Sequence, residues 1–83
     1  MLASDVMKLF CCVDAFAAAM KTKLLQKAEE GYKGWDTYGD WHNIEVSLMK
    51  HIDMMVKYSQ ANEEIDIANL VMMIWNLKGR PQK

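Results

Sequence analysis

Glu63, Asp66 and Asn69 recur at three-residue steps in a stretch that runs into Leu70-Val71-Met72-Met73-Ile74-Trp75. On a helix this spacing sets two carboxylates and an amide in a slowly drifting row, beside an apolar stripe of Ile65, Ala68, Met72 and Trp75. Carboxylates one turn apart can share a hard cation such as Mg²⁺, which prefers oxygen ligands and keeps waters that phosphate oxygens can replace. The same acids also suit the positive end of a helix dipole, so spacing alone leaves both roles open.

Further ligands must come from a facing helix. Glu45, His51 and Asp53 are the candidates there, with His51 beside the apolar stripe and Asp53 off to the side. A histidine in that position also serves as a hydrogen-bonded packing residue. Before this facing helix lies Gly31-Tyr32-Lys33-Gly34-Trp35-Asp36-Thr37-Tyr38-Gly39-Asp40, rich in glycine and aromatics. Tyr32, Trp35 and Tyr38 can stack a nucleobase or lid the helical core, and Lys33 can neutralise a phosphate. Asn69 and Asp53 join Lys33 and Trp35 as candidate nucleotide contacts. The sequence holds no Gly-rich phosphate loop, no GxSxG elbow and no HExxH pair.

The elements that must position these groups are helices. From Ser4 to Glu30 there is neither Gly nor Pro, and Val6, Leu9, Phe10, Val13, Ala17, Met20, Leu24 and Ala28 recur at helical steps. Ser4 or Asp5 can cap this helix, Lys21, Lys23 and Lys27 suit its negative end, and Gly31 is placed to stop it. A second helix is expected over 41–58, capped by Asp40, with the stripe Ile44, Leu48, Ile52, Met55 and Val56. A third is expected over 62–78, ending before Gly79 and Pro81, and its apolar circumference from Leu70 to Leu77 suits the centre of an assembly. No strand-period alternation is present, so the fold class is all-α, a single domain over 1–83.

Composition limits what this unit does. The chain has 83 residues, of which 52% are hydrophobic, including eight methionines and three tryptophans. That is more apolar side chain than three short helices bury alone, and a first helix near 40 Å long exceeds the needs of a small monomer. A homo-oligomer, dimer or higher, in which three-helix units form a larger bundle is therefore expected. A net charge of −1 with interspersed signs disfavours binding to duplex nucleic acid or an anionic membrane. No apolar run reaches the roughly 20 residues of a membrane span, and no signal-peptide order is present, so a cytoplasmic location is expected. Cys11 and Cys12 diverge by about 100° on a helix and read as reduced, packed thiols.

The order of Phe16-Ala17-Ala18-Ala19-Met20-Lys21-Thr22-Lys23-Leu24, Lys33-Gly34-Trp35-Asp36, a middle helix, and Glu63-Glu64-Ile65-Asp66-Ile67-Ala68-Asn69 leading into Met72-Met73-Ile74-Trp75 resembles the all-α nucleoside triphosphate pyrophosphohydrolases. Within them it is most similar to the short phage-borne members of the MazG-like group, over roughly residues 10 to 77. The resemblance implies Mg²⁺-dependent cleavage of a nucleotide between its α- and β-phosphates. Metals would be held by an ExxD pair, matched by Glu63 and Asp66, and by an EExxE cluster on the preceding helix. That second pattern is broken: its positions fall around Lys50, His51 and Met54, and using Glu45 as its last acid spoils the spacing from Trp35. Two-metal phosphoryl chemistry needs several carboxylates to offset its cations, so this departure favours nucleotide binding without hydrolysis. The alternatives are an active Mg²⁺-dependent pyrophosphohydrolase, with His51 and Asp53 rebuilding a one-metal site; a phage sponge for a nucleotide immune signal, acting in host cytoplasm; and a partner-binding helical module.

Overall fold

A computed structural model describes residues 2–36, 41–58 and 62–79, and the described residues form three helices without strands. These are α1 over Ala3–Glu29, α2 over Trp41–Lys57 and α3 over Glu64–Leu77. Their bounds lie within about two residues of those the periodicity predicts. Tyr38, Asp40 and Pro81 lie outside the described residues.

The start of α1 differs from expectation. Leu2 is the capping residue, and Asp5 stands three positions into the helix, where its carboxylate accepts the Leu2 backbone N–H at 3.3 Å. Asp5 thus serves as the returning half of a capping arrangement instead of the cap itself. The other end is as Gly31 predicts. Gly31 takes φ +98°, which L side chains rarely adopt, and this lets the Gly31 N–H reach the Ala28 carbonyl and the Tyr32 N–H reach the Lys27 carbonyl, each at 3.0 Å. This pair of bonds is the Schellman closure, and it folds Tyr32 back over the last turn. Lys27 Nζ then lies 4.9 Å from the centre of the Tyr32 ring.

Packing is organised around α3. It lies against both α2 and α1, whereas α1 and α2 do not pack on each other among the described residues. The outcome is an open V with α3 as its floor. In α1 the partly covered positions are Asp5 and Val6 in the first turn and Ala17, Met20, Lys23, Leu24 and Lys27 in the second half; from Met7 to Phe16 every residue is exposed. Cys11 and Cys12, expected to be packed, are exposed free thiols, because no other described helix covers this half of α1.

Very little apolar surface is sealed. Ile44, at 8% exposure, is the buried hydrophobic residue among those described, and Phe10, Val13, Leu25, Met49 and Trp75 stand largely open. The radius of gyration, 14.8 Å, exceeds the value of about 12 Å for a compact chain of this length. No helix among the described residues is long and apolar enough to cross a membrane.

Candidate functional site

The arms of the V enclose a cleft of about 900 Å³. Lys23, Leu24 and Lys27 of α1 form one wall and Asn43, Ile44, Ser47 and His51 of α2 the other, while Asp66, Asn69 and Met73 of α3 lie at the base. Tyr32, Lys33 and Trp35 also line it. Helical geometry explains this selection. Positions 44, 47 and 51 fall at three- and four-residue steps on one face of α2, as do 20, 23, 24 and 27 on α1.

Each member of the polar row on α3 meets a different group. Glu63, the residue that caps α3, makes no side-chain bond to its own helix; its Oε2 lies 2.5 Å from His51 Nδ1 on α2. Asp66 Oδ1 faces Lys23 Nζ of α1 at 3.8 Å. Asn69 is 4% exposed, and its Nδ2 donates to the Met20 carbonyl at 3.2 Å. Its Oδ1 is buried with no partner. A buried acceptor without a partner costs stability, on the order of 1–3 kcal/mol.

His51, Glu63 and Asp66 also form one cluster. Each offers a ligand atom, and these atoms lie within 4.8 Å of one another in a half-buried setting. Glu63 and Asp66 come together because they are one turn apart at the start of α3, and His51 completes the group from the facing helix.

No protein-family model, curated protein or solved structure matches this chain.

The site therefore stands on its geometry. Glu63, Asp66, Asn69 and His51 are brought together, and Lys33 and Trp35 border the same cleft. Glu45 and Asp53 are not part of it. Glu45 lies six residues before His51, about 240° around α2, and borders a second hollow with His42, Met49, Val71 and Ile74. Asp53, two residues after His51, is about 200° away and pairs with Lys57 at 3.2 Å on an exposed face.

Two residues escaped the sequence reading. Lys23 and Lys27 were expected only to complement the end of the α1 dipole, yet both face the cleft. Their spacing from Met20, at three and seven residues, was the available signal, since it puts all three on one side of the helix.

Mg²⁺ is the metal the family resemblance implies. The donor set matches it poorly, because one of three ligand atoms is an imidazole nitrogen and both carboxylates already face a nitrogen, His51 Nδ1 and Lys23 Nζ. Mg²⁺ prefers oxygen throughout and near-ideal octahedral geometry.

Proposed function

We propose that this chain is a nucleotide-binding helical protein of MazG-like type, acting as a homo-oligomer and binding without obligatory hydrolysis. The observation that carries the reading is the composition of the cleft wall: Lys23, Lys27 and Lys33 supply cationic charge, and Tyr32 and Trp35 supply aromatic surface, around about 900 Å³ of space. A pocket of that size suits a small ligand. Phosphates would sit toward the lysines, while a base would lie against Trp35, which is 38% exposed and therefore available for stacking.

The apolar surface left open by one chain supports the oligomer. Leu9, Phe10, Val13 and Phe16 are all exposed within the unpacked half of α1, and a contiguous apolar surface of this kind is the usual mark of a binding face. A second copy presenting the same face would satisfy it isologously.

The test is a thermal-shift screen of linear and cyclic nucleotides, each with and without Mg²⁺. A ligand present at a hundredfold its Kd should stabilise the protein by about 2.7 kcal/mol, and stabilisation in the absence of Mg²⁺ is expected. If no nucleotide raises the melting temperature under either condition, the reading fails. Metal-dependent release of pyrophosphate from a nucleoside triphosphate would replace it with the pyrophosphohydrolase reading, which the Glu63–Asp66 pair favours. Selective binding of a cyclic nucleotide without turnover would mark the chain as a sponge.

A further inference from the structure

We propose that Asn43 and Ser47, on the cleft face of α2, read the polar edge of a nucleobase and so select a nucleotide over inorganic polyphosphate. The assignment rests on the nucleotide reading proposed for the cleft, and adds to it the residues that set its specificity.

The two walls of the cleft are chemically unlike. Lys23 and Lys27 put cationic charge on the α1 wall, whereas the α2 wall offers an amide, a hydroxyl and an imidazole from Asn43, Ser47 and His51. These three follow one another at four-residue steps, which sets them in a row along one face of the helix, about 6 Å apart in rise. His51 is already engaged by Glu63. The acids of the lining, Asp36 and Asp66, belong to the preceding loop and to α3. A ligand lying across the cleft therefore meets positive charge on one side and uncharged hydrogen-bonding groups on the other. Inorganic polyphosphate is charged throughout and has a use for the first wall only. A nucleotide has a charged end and a neutral polar end, and has a use for both.

Asn43 and Ser47 are also uncommitted. Other short polar side chains of the helices are spent on backbone carbonyls: Thr22 donates to Ala18 at 3.1 Å, Asn76 to Met72 at 2.9 Å and Asn69 to Met20 at 3.2 Å. A helical serine can donate in the same way to the carbonyl four residues back. Ser47 does not, and neither it nor Asn43 makes a side-chain hydrogen bond among the described residues.

Their chemistry fits a base better than a phosphate. An amide carries donors beside an acceptor, and a hydroxyl can act as either. Base edges likewise set donors beside acceptors, while an ionised phosphate offers acceptors alone. Trp35 lines the same cleft, and a base stacked on an aromatic ring keeps its edges free for hydrogen bonds. Ile44, adjacent to Asn43, is buried at 8% exposure and supplies apolar surface beside the pair. In such a setting a ligand without matching groups leaves the protein's own unpaired, which is what makes hydrogen bonds discriminate.

Calorimetry without Mg²⁺ compares ATP, GTP, CTP and UTP with tripolyphosphate, their inorganic counterpart, on the parent and on the double variant Asn43→Ala, Ser47→Ala. The double variant should lose about tenfold or more in affinity for the best-bound nucleotide, as two hydrogen bonds disappear. Tripolyphosphate should change by no more than about twofold, and the loss should differ among the four bases by about threefold or more, because an edge contact sees each base's own donors and acceptors. Asn43 is exposed and Ser47 half-buried, and alanine favours helix, so the melting temperature read by circular dichroism should not fall. Asn43→Ala alone serves if the pair does not fold, with a loss of about threefold expected. Nucleotide affinity unaltered by the substitutions, a loss shared by tripolyphosphate, or a loss equal for all four bases overturns the assignment while leaving nucleotide binding in place. A parent that binds none of the four nucleotides overturns both.

Discussion

The two halves of α1 belong to one unbroken helix and live in different surroundings. From Ala17 to Lys27 it has a neighbour: Met20 receives the Asn69 amide, Lys23 faces Asp66, and Lys27 lies over Tyr32. From Met7 to Phe16 it has none among the described residues, although this half carries Leu9, Phe10, Val13 and Phe16. The polar half is thus the one that packs within the chain, and the apolar half is the one left open. Burial here follows what the described residues can reach, and the more apolar half stays uncovered by them. That division is the one the proposed homo-oligomer requires, with a core shared between copies.

Breaking the open half should have the largest effect. Phe10→Asp with Val13→Asp is expected to weaken self-association by about 2–4 kcal/mol, roughly thirty- to a thousandfold, because two side chains that stand about two-thirds exposed in one chain lose their covered state. Sedimentation velocity reads the change. An unaltered sedimentation coefficient would show that this half is not where copies meet.

A smaller effect is expected in the packed half. Asn69→Ala removes the bond to the Met20 carbonyl and leaves a small void, for a net loss of about 1–2 kcal/mol. Loss of the unpartnered Oδ1 offsets part of the cost, so chemical denaturation should show less destabilisation than burial alone suggests. A loss beyond about 3 kcal/mol would mean that Oδ1 has a partner in the folded protein.

Lys27→Ala sharpens the contrast with the smallest change. Its ion pair with Glu30, at 3.8 Å, and its contact with Tyr32 are both solvent-exposed, so stability should fall by no more than about 1 kcal/mol. Binding of inorganic pyrophosphate, by contrast, should weaken measurably by calorimetry, and the loss should shrink as salt is raised. Equal pyrophosphate affinity in parent and variant would remove Lys27 from the anion site.

Much of this arrangement is legible in the sequence, for reasons that can be named. Helices are local, so Gly31, the unbroken stretch before it and the apolar steps after residue 41 are enough to place them. The grouping of Glu63, Asp66 and Asn69 is also local, being a matter of helical pitch. His51 is legible only in part: its face follows from the stripe, but its meeting with Glu63 depends on how α2 crosses α3. Glu45 and Asp53 fail on phase, since neither shares the face of α2 that carries Ile44 and His51. Lys23 and Lys27 were hidden by a second explanation that fitted equally well, the favourable position of cations at a helix C-terminus. The Leu2 cap was hidden because Asp5 is as good a residue three positions in as it is at the cap.

The bond from Asn69 to the Met20 carbonyl sets the angular phase of everything beyond it on α1. An α-helix is a rigid screw, and one inserted residue turns the following turns by about 100°. Lys23 and Lys27 face the cleft because Met20 faces α3. An insertion between Met20 and Lys27 would swing Lys27 out of the wall although every side chain of the cleft is still present in the sequence. This segment should therefore tolerate a change of side chain more readily than a change of length, with insertions absorbed before Met20 or after the turn at Gly31.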